Sequence, residues 1–407
     1  MFSIFNKGSK NNRVYLDNAG ATEVSERANR ALVETLGVYG NPSAIHKEGA
    51  EASKILQDAR NMCAKVLNAH SYEIYFTGSG TESCNLAVLG TYEGWSKQQI
   101  VSSKKEIPHI ITSSIEHPAV LEPIRHLEKN GKIKVTYLPV YENGIVKIKD
   151  IREGLNENTI LVSVMYANNE IGTIQPIKEI GRALEEWKKE NNRTHTDYPY
   201  FHTDACQAAN YSNLDAVRLR AHLMTVNSSK VYGPKGVALL YKREGIILEP
   251  ISYGGGQERG LRSGTESVAL ARSFAEALTE SQEMKEKESE RLIVLRDSFF
   301  EKIEKEIKDV TIYGDRKERL PNNINICIPG ILSEEMILRL DAKGFAVSHK
   351  SACASSETDG SYVVQALGAT EKESLENVRI TLGRSTTKAN LENLVEAIKE
   401  IKEKFAR

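Results

Sequence analysis

Two lysines in the stretch TVNSSKVYGPKG (225–236) raise the question of nucleophilic chemistry. Lys230 follows an apolar run and three small polar residues, so its amine is expected to lie in a tight, partly desolvated pocket. Desolvation disfavours the ammonium form and makes a lysine a better amine nucleophile. Lys235 follows Pro234 in a predicted turn and is expected to be solvated. The stretch therefore favours Lys230 as the reactive amine.

A second candidate nucleophile is Cys353, in the polar segment SHKSACASSE (348–357). His349 and Lys350 precede it closely, and nearby positive charge lowers the pKa of a thiol toward the reactive thiolate. Most cysteines in proteins are small buried apolar residues, but this segment is too polar for a core strand. These surroundings predict a reactive thiol.

The motif FTGSGTES (76–83) follows a predicted strand and begins a helix. Gly78 and Gly80 allow close backbone approach, and the free N–H groups of a first helical turn favour a phosphate. The motif lacks the third glycine of a dinucleotide-binding fingerprint. A tight turn with Thr81 as the helix N-cap explains the same residues, and on its own this alternative is favoured.

Two further polar side chains follow predicted strands. Asp204 lies at the carboxyl end of an apolar strand, where open α/β sheets bind ligands, and its carboxylate could pair with a cationic ring nitrogen. His117 precedes a helix that begins near Pro118, and its imidazole could stack on a flat cofactor or carry protons. A helix-capping aspartate and a structural histidine are the common alternatives.

Three further segments carry cationic or hydrogen-bonding side chains. The loop GGGQERGLRSGT (254–265) combines flexible backbone with Arg259 and Arg262, as an anion clamp requires, although a solvated loop explains it almost as well. Arg379 lies inside an apolar strand and requires a carboxylate, from the protein or from a substrate. The asparagines of ANNEIG (167–172) suit hydrogen bonding at a sheet edge or a turn.

From about residue 70 to 245, short apolar runs alternate with helical segments that must position these residues. Such alternation predicts an α/β fold with a mostly parallel sheet covered on both faces. The predicted strands are 73–76, 109–112, 160–166, 200–205 and 222–226, with helices from Pro118 and over 177–190.

After about residue 265 the pattern changes to a long charged helix over roughly 273–308. Predicted strands at 323–328 and 346–350 follow, and a helix over 390–405 carries apolar residues on one face. These elements indicate a second, smaller α+β domain.

Composition excludes several classes of protein. The 407 residues carry 54 basic and 55 acidic side chains, so nothing favours nucleic acid or an anionic membrane as a partner. The first residues lack the apolar core and cleavage site of a signal peptide, and no apolar run is long enough for a membrane span. Five cysteines without a CxxC pair predict neither a disulfide framework nor a metal site, which favours the cytoplasm.

Taken together, the candidate groups form one set of binding and reactive functions. They comprise a phosphate-binding turn, an acid for a ring nitrogen, a stacking imidazole, an imine-forming lysine, a thiol and a carboxylate-binding arginine. Pyridoxal 5'-phosphate (PLP) requires a lysine imine and a partner for its pyridinium nitrogen, so it fits this set.

The chain resembles the cysteine desulfurases of the NifS/IscS type, in the class V aminotransferase superfamily. The similar motifs cover nearly the whole length in the family's order: YLDNAGAT (15–22), NPSAIHKEG (41–49), FTGSGTESCNLA (76–87), EHPAV (116–120), NNEIG (168–172), HTDACQ (202–207), KVYGPKG (230–236), GGGQERGLRSGT (254–265), SACASS (351–356) and RITLGR (379–384).

The resemblance implies the PLP-dependent transferase fold of type I, with a mostly parallel seven-stranded sheet in the large domain. Residues 16–265 would form this domain, and residues 1–15 and 266–407 would form a smaller α+β domain that carries the cysteine loop. A homodimer with active sites near the subunit interface is also implied.

The resemblance also implies residue roles. Lys230 would form the imine with PLP, Asp204 would partner the pyridine nitrogen, and His117 would stack on the ring. Asn169 and Arg379 would hold the substrate carboxylate. The remaining contacts with the phenolic oxygen and the phosphate would come from Gln207, Gly80, Thr81, Asn227, Ser229 and, from the neighbouring subunit, Thr265.

The implied reaction converts L-cysteine to L-alanine. Lys230 takes the Cα proton, the Cys353 thiolate attacks the substrate sulfur, and the resulting persulfide passes to an acceptor such as an iron–sulfur scaffold protein. A selenocysteine lyase, another class V enzyme and a degenerate non-catalytic homologue remain as alternatives.

Two departures from the family pattern bear on activity. Asn227-Ser228-Ser229 replaces the usual Ser-Gly-His before the lysine, and His349-Lys350 replaces the usual Ser-Gly before the thiol. An asparagine amide can still donate to a phosphate. We therefore expect PLP to bind and turnover to be weaker or retuned.

Overall fold

The computed structural model describes residues 13–102, 106–350 and 360–405. The strands in these ranges are β1 (Val14–Tyr15), β2 (Ile74–Thr77), β3 (His109–Ser113), β4 (Lys134–Leu138), β5 (Thr159–Ser163), β6 (Tyr200–Asp204), β7 (Leu223–Asn227), β8 (Ala238–Lys242), β9 (Thr311–Ile312), β10 (Asn323–Cys327), β11 (Phe345–Ala346) and β12 (Asn377–Thr381).

The α-helices of the same ranges are α1 (Glu26–Thr35), α2 (Lys47–Val66), α3 (Gly80–Ser102), α4 (Pro118–Lys129), α5 (Ile148–Gly154), α6 (Ile177–Glu190), α7 (Ala216–Leu219), α8 (Val268–Glu306), α9 (Ser333–Ala342), α10 (Tyr362–Ala366), α11 (Glu371–Leu375) and α12 (Lys388–Phe405).

The central element is a seven-stranded sheet in the order β2-β8-β7-β6-β5-β3-β4. Strands β4, β3, β5, β6 and β7 pair in parallel, whereas β8 pairs antiparallel with both β7 and β2. Strands β2, β3, β5 and β6 are buried along their whole length, as a sheet covered on both faces requires. The α/β fold with a mostly parallel seven-stranded sheet is therefore confirmed.

The antiparallel strand β8 has a direct consequence for the candidate lysine. Because β8 reverses beside β7, the two strands are joined by a short connection instead of a crossover helix. This connection begins with a single 3₁₀ turn, Ser228–Lys230, at the carboxyl end of β7. Lys230 therefore lies at the sheet edge where the parallel strands end.

Local sequence signals account for most of the elements. The predicted helix over 177–190 is observed as α6, and α4 begins at Pro118, where the fixed φ of proline suits a first helical turn. The long charged helix begins earlier than predicted, at Val268, because its first turns are apolar and pack on the large core. The sequence pattern did not predict strands β1, β4, β8 and β9.

The predicted strand at 346–350 is wrong in extent. Only Phe345–Ala346 forms a strand, which pairs in parallel with β1. Two residues later the chain changes partner, and Ser348 forms an isolated antiparallel bridge with Arg379. Hydrogen bonds to two different neighbours prevent one continuous strand over this segment.

A second hydrophobic core lies under the three-stranded antiparallel sheet β12-β10-β9. Helix α8 joins the two cores, since Phe274 belongs to the first core and Phe299 to the second. Leu16, from the start of the chain, also packs in the second core. The domain boundaries at residues 15/16 and 265/266 remain predictions. None of the helices in the described ranges is long and apolar enough to cross a lipid bilayer.

A buried ion pair attaches the Gly-rich loop 254–265 to the sheet. Arg60 of α2 binds Glu258 through two bonds of 2.7 Å, and both side chains are at most 5% exposed. Glu258 also accepts the backbone N–H of Phe76 at 3.0 Å. The loop is thereby held against β2, directly before the strand-to-helix turn at Gly80.

We expect Glu258→Gln to destabilise the protein by about 3 kcal/mol. The substitution removes the carboxylate charge, so the buried Arg60 guanidinium is left without a compensating partner. Urea unfolding of Glu258→Gln and of the exposed-pair control Glu122→Gln measures the difference. An equally small effect for both variants would contradict this role of the pair.

Candidate active site

The carboxyl ends of the central strands meet at one cavity. Strands β2, β3, β5, β6 and β7 all end at this edge, where open α/β sheets bind ligands. The cavity encloses about 750 Å³ up to open solvent, the size of a small-molecule site. Among the predicted site residues, those that line it are Gly80, Thr81, His117, Asn169, Asp204, Gln207, Asn227, Lys230 and Arg379.

The other predicted site residues do not line this cavity. Ser229 is half-buried next to Lys230, and Thr265 is exposed at the end of the Gly-rich loop. Cys353 lies outside the described residues. The expected role of Thr265 involves a neighbouring subunit, so its exposure leaves that role a prediction.

The Lys230 amine is held by the N-terminal segment of the chain. Its Nζ donates to the carbonyl oxygens of Ala19 at 2.7 Å and Gly20 at 2.6 Å. The backbone carbonyl of Lys230 accepts a bond from Asn210 at 2.5 Å, which fixes the 3₁₀ turn. Lys235 is exposed and lies outside the cavity, as the sequence predicts.

His117 both caps a helix and lines the cavity. Its Nδ1 accepts the backbone N–H of Ala119 at 3.1 Å at the start of α4, which assigns the proton of the neutral ring to Nε2. Burial lowers the pKa of His117, and the positive charges of Lys230 and Arg379 lower it further, against the opposing effect of Asp204. A neutral imidazole therefore faces the cavity near pH 7.

Asp204 ends strand β6 beside the cavity. Its Oδ1 accepts the backbone N–H of Cys206 at 3.0 Å, and the residue is only 8% exposed. Gln207 follows in the same turn and donates from Nε2 to the Ala19 carbonyl at 3.0 Å. A carboxylate held in this way can stabilise a protonated ring nitrogen.

The turn between β2 and α3 places the N-terminus of a helix beside the cavity, as a phosphate-binding turn does. Helix α3 begins at Gly80, and Ser79 caps it by accepting the N–H of Glu82 at 3.1 Å. The alternative with Thr81 as N-cap is therefore wrong, because Thr81 lies inside the first turn. Helical N–H groups at this position can bind a phosphate.

Close packing around Gly80 explains the glycine and the departure at Asn227. A Cβ at Gly80 would lie 3.2 Å from the Cys206 sulfur and 3.3 Å from the Asn227 Nδ2. Asn227 accepts the Ser229 N–H through Oδ1 at 3.4 Å. The donor end of its amide therefore adjoins the first turn of α3, where a phosphate would bind.

Arg379 brings a buried guanidinium to the cavity from β12. It is 2% exposed and donates to Asp17 Oδ1 at 2.8 Å and to the Asn169 carbonyl at 3.2 Å. Its Nε and the Asn169 Oδ1 are buried without a hydrogen-bond partner among the described residues. Buried polar groups are normally satisfied, so this pair indicates a polar ligand.

The two arginines of the Gly-rich loop bind the protein itself. Arg259 donates to the Ile74 carbonyl at 2.5 Å, and Arg262 pairs with Glu82 at 2.8 Å. The structure therefore does not support the anion clamp suggested by the sequence. The sequence carries no signal for these partners, which come from β2 and α3.

Sequence reasoning assigned no role to three residues that the structure brings to the site. Asp17, Ala19 and Gly20 bind Arg379, Gln207 or Lys230 through the contacts given above. The only available signal was the motif YLDNAGAT (15–22), which contributed to the resemblance.

Both flanks of residues 351–359 are attached to the cavity wall. Before them, Ser348 exchanges two backbone bonds with Arg379, of 3.1 and 2.7 Å. After them, Ser361 donates to Glu170 and Tyr362 donates to the Glu116 carbonyl, both at 2.5 Å. Glu170 and Glu116 immediately neighbour Asn169 and His117.

The profile of the family described as Aminotransferase class-V matches residues 14–394 of this chain. The chain belongs to the class V aminotransferase family. Class V aminotransferases are PLP-dependent, and the phosphate-binding turn, the Asp204 carboxylate and the cavity-facing Lys230 amine fit that cofactor.

Individual relatives confirm the resemblance to cysteine desulfurases. The chain is 40% identical over 393 residues to a protein of Dictyoglomus turgidum named cysteine desulfurase IscS, covering 96% of this chain and 95% of the relative. A solved structure named NifS-like protein has a TM-score of 0.86 at 32% identity, covering 96% and 99%. A structure titled SspA in complex with cysteine has a TM-score of 0.74 at 30% identity, covering 90% and 98%.

We expect Lys230→Ala to abolish the covalent link to PLP, because no other lysine lines the cavity among the described residues. Borohydride reduction followed by peptide mass spectrometry should place the reduced cofactor on Lys230 in the wild type. The control Lys235→Ala, in the same turn region, should retain it. Reduced cofactor on any other side chain would contradict the assignment.

We expect Asn227→Ala to weaken PLP binding roughly tenfold, the usual effect of losing one hydrogen bond to a charged group. Asn227→Ser, which keeps a shorter donor, should lose less. Absorbance titration of the apoprotein with PLP measures both dissociation constants. If Asn227→Ala binds PLP as the wild type does, its amide is not a phosphate ligand.

Proposed function

We propose that this class V aminotransferase is a cysteine desulfurase, which converts L-cysteine to L-alanine and leaves the sulfur on Cys353 as a persulfide. The similarity to cysteine desulfurases over nearly the whole chain supports the reaction. The single structural observation that carries the role of Cys353 is the attachment of both flanks of residues 351–359 to Arg379, Glu170 and Glu116.

PLP, when bound, supplies an electron sink for the bond that breaks at the substrate Cα. The Asp204 carboxylate would keep the ring nitrogen of the cofactor protonated, and the neutral His117 ring lines the same cavity. Lys230 Nζ would take the proton from the substrate Cα, and the Ala19 and Gly20 carbonyls would hold the resulting ammonium group.

The substrate carboxylate is bound by Arg379 and Asn169 in this proposal. The unpartnered Nε of Arg379 is a donor that a carboxylate can satisfy. A guanidinium fork also orients a carboxylate more strictly than a lysine ammonium could.

The sulfur transfer balances without a further reagent. The Cys353 thiolate forms an S–S bond with the substrate sulfur, the C–S bond breaks, and its electrons remain on the carbon chain, which is protonated to L-alanine. The products are L-alanine and one persulfide on the protein.

The other cysteines are poor nucleophiles. Burial raises the pKa of Cys63 and of Cys327 to about 12, and it raises the pKa of Cys84 and of Cys206 well above the ordinary thiol value. All four are buried and free. Since only the thiolate attacks, these cysteines stay unreactive near neutral pH, which supports Cys353 as the sulfur acceptor.

The departure at His349-Lys350 adds a basic pair beside Arg379. Burial lowers the pKa of the half-buried His349, as do the charges of Lys350 and Arg379. His349 is therefore neutral near pH 7, and Lys350 is buried directly before residues 351–359. We attribute the added positive charge near the thiol mainly to Lys350.

The finer features of the function are also proposals. Exposed apolar residues at Tyr39, Ile45 and Tyr253 support a homodimer, because large side chains of this kind are normally covered. The persulfide would pass to an acceptor protein such as an iron–sulfur scaffold. The free cysteines support a reducing compartment, the cytoplasm.

We expect Cys353→Ala to reduce persulfide formation and sulfide release by about two orders of magnitude or more, because the nucleophile is lost. The variant should still bind PLP. After addition of L-cysteine, alanine is measured and the persulfide is mapped by mass spectrometry, and sulfide is measured after a thiol reductant has reduced the persulfide. Cys63→Ala, which removes a buried core thiol, is the control. Full sulfur release by Cys353→Ala, or a persulfide on Cys206, would overturn the proposal.

A further inference from the structure

The ion pair between Asp17 and Arg379 joins the start of the chain to the cavity. Residues 16–18 run alongside β12, where the Leu16 carbonyl accepts the Thr381 N–H at 2.7 Å and Asp17 forms a parallel bridge with the same threonine. This pairing directs the Asp17 carboxylate to the Arg379 guanidinium. Among the described residues, Asp17 is the carboxylate that is ion-paired with Arg379.

The Asp17 carboxylate lies directly against the backbone of Gly20. A Cβ on Gly20 would overlap Asp17 Oδ2 and would lie 3.0 Å from its Cγ. The Gly20 N–H also donates to the Asp17 carbonyl at 3.0 Å, and the Tyr15 hydroxyl donates to the same carbonyl at 2.9 Å. Asp17 therefore occupies a defined position in a tight turn.

Two contacts together set the plane of the guanidinium. One terminal nitrogen of Arg379 donates to Asp17 Oδ1 at 2.8 Å, and the other donates to the Asn169 carbonyl at 3.2 Å. An arginine has five N–H donors, so Nε and one N–H on each terminal nitrogen remain. Asp17 thus binds Arg379 without using the donors that a substrate carboxylate needs.

We propose that Asp17 is a positioning residue, which orients the Arg379 guanidinium for the α-carboxylate of an amino acid substrate. This inference rests on the proposed function, in which Arg379 binds that carboxylate. It assigns to the motif YLDNAGAT a role in substrate selectivity. Asp17 acts through Arg379 and does not itself hold the substrate.

The test compares two amines that differ by a carboxylate. L-Alanine and ethylamine are titrated into the PLP-loaded enzyme, and their dissociation constants are read from the change in the cofactor's absorbance band. We expect Asp17→Asn, which keeps the acceptor oxygen and removes the charge, to weaken L-alanine binding by roughly 10-fold, as when a charged hydrogen bond is replaced by a neutral one, with ethylamine binding unchanged. Asp17→Glu, which keeps the charge, should recover part of the loss.

A matched control lies in the same segment. Glu23→Gln removes the same charge from an exposed side chain and should leave both amines unaffected. If Asp17→Asn fails to fold, Asp17→Ser provides a second variant, because it removes the carboxylate and keeps a small polar side chain in the turn. It should show the same selective loss of L-alanine binding.

Four other results of this titration and of the activity assay would each contradict part of the proposal. Equal losses for L-alanine and ethylamine would assign Asp17 a general structural role and would overturn the proposal, as would no loss for either amine. A wild type without a preference for L-alanine would overturn both the Arg379 and the Asp17 assignments. Failure of sulfur release from L-cysteine, with carboxylate selectivity intact, would contradict only the desulfurase reaction.

Discussion

Parallel strands deliver their carboxyl ends to one edge of a sheet, and the whole site depends on this constraint. Asp204 and Asn227 end β6 and β7, and His117 and Asn169 follow β3 and β5 by a few residues. Residues that are far apart in the chain are thereby brought to one cavity without any need for long loops. The antiparallel β8 keeps the connection after β7 short, so that Lys230 stays at the same edge.

The N-terminal segment closes this cavity from the side of the smaller sheet. Through Ala19 and Gly20 it binds the Lys230 amine, and through Asp17 it binds the guanidinium of Arg379. The amine and the guanidinium come from different parts of the structure, so the segment links these parts at the cavity. Any displacement of residues 17–20 would therefore change the contacts of Lys230 and of Arg379 together.

Charges of both signs line the cavity. The buried Arg379 guanidinium is compensated by Asp17, and the Lys230 amine and the Asp204 carboxylate line the same cavity. Burial keeps His117 neutral, and it raises the pKa of the neighbouring Glu116 to about 8, which makes this carboxyl group largely uncharged at neutral pH. The electrostatic potential in the cavity therefore depends on a few ionised groups, to which the proposed substrate carboxylate would add one negative charge.

The sequence by itself determined the alternation of strands and helices, the position of α6 and α4, and the residue types of the site, since these follow from local periodicity, proline and turn chemistry. The sequence could not determine which side chains form hydrogen bonds or ion pairs with which distant groups. Arg259 and Arg262 suited an anion equally well in isolation, but the fold places the Ile74 carbonyl and Glu82 against them. The partners of Lys230 and Arg379 lie more than 200 positions away in the chain, at Ala19, Gly20 and Asp17. Only tertiary structure decides such contacts, because local propensity carries no information about which distant backbone carbonyl or carboxylate will be desolvated beside a given cation.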